Sequence, residues 1–98
     1  MGIFSLAVLF GSFSAMGQAA RPVKGTVLDA QKNPLVGVSV QVKETSTTTR
    51  TDGGGRFSIL VPPHKHLLLV TYVGKASQEV NIRNEDIVSI IMKDQRRP

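Results

Sequence analysis

The sequence contains no cysteine. That absence excludes a disulfide scaffold, a cysteine-ligated zinc site, a thiol nucleophile and a lipid anchor on an N-terminal cysteine. A domain of about 80 residues is large enough to fold without such staples. Aromatic residues are scarce, and beyond Ala20 only Phe57 and Tyr72 occur. Charge is missing altogether from the first twenty residues, "MGIFSLAVLFGSFSAMGQAA". Helical periodicity is missing too, because from Pro22 onward the apolar residues recur at period two.

The uncharged opening runs apolar from Ile3 to Phe13 and then turns to small residues, the pattern of a secretory leader and its cleavage region. Ala15 with Gly17, or Gly17 with Ala19, offers the small-residue cleavage pair. No Lys or Arg precedes Arg21, so the usual basic start of a leader is lacking. A membrane anchor is the competing reading. The run is too short and too rich in Ser and Gly for a span of about 20 apolar residues. The expected organisation is a signal peptide over 1–20, cleaved after Gly17 or Ala19, one domain over 21–94 and a basic tail over 95–98. Export then places the domain in the periplasm or at the outer membrane.

The net charge is +5. Its basic residues are scattered, and the one cluster, Arg96-Arg97-Pro98, ends the chain. With no basic helix, nucleic acid is not an expected partner, and the charge reads as a solvated surface.

Short alternating segments fill the rest. "VKGTVLD" opens with β-branched residues, and "NPLVG" supplies turn signals at Asn33-Pro34 and Gly37. In "VSVQVK", Val38, Val40 and Val42 share one face and Ser39, Gln41 and Lys43 the other. "TTTRT" reads as a polar surface strand. In "RFSILV", Phe57, Ile59 and Val61 share a face, and Pro62-Pro63 end the strand. "LLLVTYV" is apolar on both faces and reads as a central strand covered on both sides. "SQEVNI" alternates weakly, and "IVSIIMK" points Val88, Ile90 and Met92 inward. Seven short strands with turn signals between them predict an all-β fold, a seven-stranded antiparallel β-sandwich. The connections are too short for crossover helices.

The triple glycine in "RTDGGGRF" is followed by Arg56 and a strand rather than by Lys-Ser or Lys-Thr and a helix. It is therefore a hairpin-type turn and not a phosphate cradle. Asp52 is expected to accept bonds from nearby backbone N–H groups. His64 and His66 form an H-x-H pair beside Pro62-Pro63 and read as solvent histidines in a turn, with no third ligand motif in sight. No G-x-S-x-G elbow or paired acid–base carboxylates appear. No catalytic residue, metal or cofactor is expected.

These pieces together resemble the carboxypeptidase-regulatory-like (transthyretin-like) domain, in the version that follows the signal peptide of SusC/RagA-type TonB-dependent outer-membrane transporters. The matching residues are Gly25-Thr26-Val27, Pro34-Leu35 with Gly37-Val38, Thr51-Asp52 through Gly55 with Phe57, Val61-Pro62 and Tyr72-Val73-Gly74. Lys75 stands where the family often has an aromatic residue, Gly54 where it often has Asp, and Glu44 where it often has Gly. The resemblance implies a non-catalytic, seven-stranded sandwich on the periplasmic side of a transporter, touching the membrane only through that transporter. Its implied partner is a cell-envelope protein, either the transporter's plug and barrel or an associated surface lipoprotein.

A sandwich offers its edge strands to partners by strand addition. The charge-poor segment Thr47, Thr48, Thr49, Arg50 and Thr51 is the candidate edge. Proline at Thr49 is expected to weaken partner binding and spare the fold. The alternative is a stand-alone carbohydrate- or surface-binding adhesion module, for which the aromatic platforms are few.

Overall fold

The computed structural model describes residues 20–95. The predicted leader, except Ala20, and most of the basic tail lie outside the described residues. Seven strands follow in chain order: β1 (Arg21–Asp29), β2 (Ser39–Val42), β3 (Thr48–Arg50), β4 (Arg56–Val61), β5 (Leu67–Thr71), β6 (Gln78–Asn81) and β7 (Ile87–Met92). They form two sheets, one ordered β4-β1-β7 and the other β3-β2-β5-β6. Among the described residues there is no helix.

Alternation in sequence becomes the sandwich interior. Val38, Val40 and Val42 face inward from the second sheet, together with Leu68 and Val70. Phe57, Ile59 and Val61 meet them from β4, Val23 and Val27 from β1, and Val88, Ile90 and Met92 from β7. Ile82, just past β6, is also fully buried. β5 is central in its sheet, as its apolar run predicts. Its outward residues Leu67, Leu69 and Thr71 are half-buried rather than covered, so only one face of it is core.

One pairing departs from the antiparallel expectation. β1 and β7 run parallel, with Lys24 opposite Ile87 and Asp29 opposite Met92. No crossover helix is needed, because the whole second sheet and β4 serve as the connection between them. Gly25 sits inside this sheet between β4 and β7. A Cβ there would lie 2.5 Å from the Phe57 ring and 2.8 Å from Val88, so a side chain at this position would force that ring to move.

The triple-glycine turn does not join two strands of one sheet. β3 stays with β2, whereas β4 drops onto β1 in the other layer. The local turn is still of hairpin type. Gly55 N donates to Asp52 O (2.9 Å), and Asp52 N donates to Arg56 O (2.9 Å). Asp52 Oδ1 accepts from the N–H groups of Gly54 and Arg56, both at 2.9 Å. Of the three glycines, Gly55 has a structural requirement: its φ is +76°, and a Cβ would lie 2.7 Å from Val27 O. Gly54 has room for a side chain, so the turn does not require glycine there. Glu44 has φ +67°, a left-handed conformation that glycine adopts without strain.

Candidate interaction edge

β3 is the outer strand of its sheet, so the predicted segment does lie on an edge. Its register on β2 pairs Ser39 with Arg50, Val40 with Thr49 and Gln41 with Thr48. Val42 N donates to Thr47 O (2.9 Å), and Thr51 N donates to Val38 O (3.1 Å). Residues in an antiparallel strand turn their backbone groups alternately towards and away from the neighbour. Thr47, Thr49 and Thr51 therefore face β2, and the backbone N–H and C=O of Thr48 and Arg50 face away from the sheet.

The five predicted residues thus divide. Thr48 and Arg50 are exposed and present their backbone groups outward. Thr47 and Thr49 are half-buried. Thr51 is buried, and its hydroxyl donates to Leu35 O (2.6 Å) while accepting from Val38 N (2.9 Å). It fastens the β1–β2 connection to β3 and is not available to a partner. Proline belongs at Thr48 for a test of the edge, because at Thr49 it would remove a bond to β2.

A shallow groove continues from this edge across the outer face of the sheet. It is lined by Gly37, Ser39, Arg50, Thr71, Tyr72 and Val73. Ser39 and Gly37 give it a low floor between the taller Arg50 and Thr71. Val73 is 90% exposed at its end. The Arg50 guanidinium lies 3.5 Å from Gly37 O, and among the described residues it has no carboxylate partner. Tyr72 is half-buried and Phe57 is in the core, so one partly covered ring is all the aromatic surface among the described residues.

The other edge strands also present outward-facing backbone groups, in different surroundings. On β7, Ile91 O accepts from the Gln78 side chain (2.5 Å), and just beyond it Lys93 O accepts from Ala76 N (2.9 Å). On β6, Ile82 N donates to His66 O, so by the same alternation Glu79 and Asn81 face outward. Glu79 is held by Lys43, and Asn81 Oδ1 accepts from Arg83 N. On β4, Val27 N donates to Gly55 O, which leaves Ser58 and Leu60 facing outward. Sequence reasoning missed this β4 edge. It also missed Arg21, whose guanidinium donates to Ile82 O (2.5 Å), Glu85 O (3.1 Å) and Asp86 Oδ1 (2.9 Å) and so ties the β6–β7 loop to the start of β1. Only a contact across more than sixty residues reveals that role.

Two carboxylates are held below the ordinary aspartate value. For Asp52 the causes are the backbone N–H groups of Arg56 and Gly54; for Asp29 the first cause is the N–H of Asn33, opposed by partial desolvation. His64 is exposed in a turn with φ +70°, and His66 Nε2 lies 3.0 Å from the Arg83 guanidinium. Among the described residues no cluster of three metal-ligating side chains occurs.

The profile of the CarboxypepD_reg-like domain matches residues 23–97. The chain belongs to this family. Curated relatives include a TonB-dependent receptor of Formosa agariphila, 34% identical over 91 residues, which cover 92% of this chain and 9% of that protein. The TonB-dependent receptor SusC of Bacteroides thetaiotaomicron is 34% identical over 89 residues, 91% of this chain and 8% of that one. The chain therefore spans less than a tenth of the relatives it matches. Among solved structures, a chain of the type II cohesin–X-dockerin complex of Acetivibrio cellulolyticus superposes with a TM-score of 0.61 at 20% identity, covering 76% of this chain and 58% of that one. That likeness is one of fold.

Proposed function

We propose that this is a non-catalytic interaction domain of the bacterial cell envelope, acting with TonB-dependent uptake, and that it engages a partner protein by strand addition to β3. The observation that carries this reading is the pair of outward-facing backbone positions on β3, Thr48 and Arg50, in a domain whose relatives are receptor segments. Strand addition supplies affinity through main-chain hydrogen bonds and specificity through alternate side chains. The reading includes export, with 1–20 as a leader removed after Gly17 or Ala19, and a functional unit over 21–94. The partner is then either the transporter that this domain accompanies or a surface lipoprotein associated with it.

Site-specific photo-crosslinking in envelope preparations tests it. A crosslinker at Thr48 or Arg50 is expected to capture one defined protein, and the same group at Ser58 or Glu79 is not. Capture that is equal at all four positions, or confined to Ser58, removes β3 from the account. N-terminal sequencing of the exported protein, expected to begin at Gln18 or Ala20, tests the leader.

A further inference from the structure

Resting on the strand-addition reading, we propose the chemistry of the segment that joins β3: an extended stretch bearing a carboxylate side chain beside Arg50, followed by an apolar side chain that enters the groove over Gly37 and Ser39. The carboxylate follows from charge. Arg50 points from the outer face of the edge strand, is exposed, and lacks an ion pair among the described residues; Lys24, Lys32, Arg56, Arg83 and Lys93 lack one too, but Arg50 is the one that lies on β3. The side chains sharing its face nearby are Thr48, Ser39, Gln41 and Thr71, none of them acidic. On an added strand, the residue directly opposite Arg50 has its Cβ about 5 Å away, within reach of an ion pair.

The apolar side chain follows from shape. Arg50 is the last residue of β3, so a segment running past it meets the end of β2 at Gly37. An added Cβ at Gly37 would touch nothing within 4 Å, which leaves this crossing open to a partner chain. Beyond it stand half-buried Tyr72 and the 90%-exposed Val73. Burying a Leu-sized side chain against these residues is favourable by the area it removes from water. A segment with a Lys in place of the carboxylate would instead set like charges together.

The test uses the full 98-residue chain, ¹⁵N-labelled, and three synthetic ten-residue peptides of alternating Thr and Val. The first carries Glu followed two residues later by Leu, the second Lys and Leu, the third Glu and Ser. Amide hydrogen exchange at Thr48 and Arg50 is expected to slow on addition of the Glu–Leu peptide. That peptide is expected to bind about fivefold more tightly than the Lys–Leu peptide and about tenfold more tightly than the Glu–Ser peptide. Arg50→Glu is expected to reverse the Glu/Lys order, and Val73→Ser to abolish the Leu/Ser difference.

Equal binding of the three peptides, with protection retained at Thr48 and Arg50, overturns the partner chemistry and leaves strand addition standing. Protection at Ser58 and Leu60 instead, or binding of no peptide, overturns both. Self-association that protects Thr48 without peptide assigns the edge to a second copy and likewise overturns the proposal.

Discussion

Single atoms decide several features of this domain. A methyl group at Gly25 would collide with the Phe57 ring and with Val88, whereas Gly53 faces open space. Gly25→Ala is therefore expected to cost about 1–3 kcal/mol, the range for overpacking a filled core, and Gly53→Ala to stay within about 0.5 kcal/mol, both read by denaturant titration. Glu44 sits in the left-handed region, so Glu44→Gly is expected to stabilise by about 1 kcal/mol. Asp29 and Asp52 each have a folded-state pKa below the unfolded one. Their contribution to stability is whole above the ordinary aspartate pKa of 3.8 and drains away as pH falls through the lowered values. Replacing both with Asn is expected to flatten the acid limb of a stability–pH curve measured from pH 7 downward, with little change in its slope above pH 5.

At the scale of the strand, phase separates folding from binding. Thr48 and Thr49 are adjacent, both threonine and both on the edge, yet their N–H groups point in opposite directions. Thr49→Pro deletes a bond to β2 and is expected to lower stability by about 1–3 kcal/mol. Thr48→Pro is expected to cost less than about 1 kcal/mol, since proline is tolerated where an edge N–H faces solvent. Circular dichroism melts of the two variants check this contrast. Most strands were legible in the sequence because strict alternation, as in Val38–Val42 and Phe57–Val61, states both the element and its inward face. The edge position of β3 was legible from its polarity. Its phase was not, because a run of threonines has no apolar face to fix it. The groove was likewise hidden: Gly37, Ser39, Arg50 and Tyr72 come from segments that only the sheet order places side by side. The parallel pairing of β1 and β7 also escaped, since nothing local distinguishes a strand's parallel neighbour from an antiparallel one.

For the molecule as a whole, the two layers are joined by more than their apolar interior. Thr51 ties β3 to the β1–β2 connection, Arg21 ties the β6–β7 loop to β1, and Gln78 reaches from β6 to the backbone of β7. Past β7 the chain crosses to the other layer, where Gln95 N donates to Gly74 O (3.1 Å) and Lys75 pairs with Asp94 (2.7 Å). Because β1 and β7 run the same way, the polypeptide enters at one pole of the sandwich and leaves at the opposite pole, roughly 30 Å along a nine-residue strand. Tension applied between the two poles would pull these terminal strands past each other lengthwise, loading their whole ladder at once instead of peeling it bond by bond. In single-molecule stretching from its two ends, the domain is expected to rupture in one step, at a higher force than when it is pulled across β4 and β1.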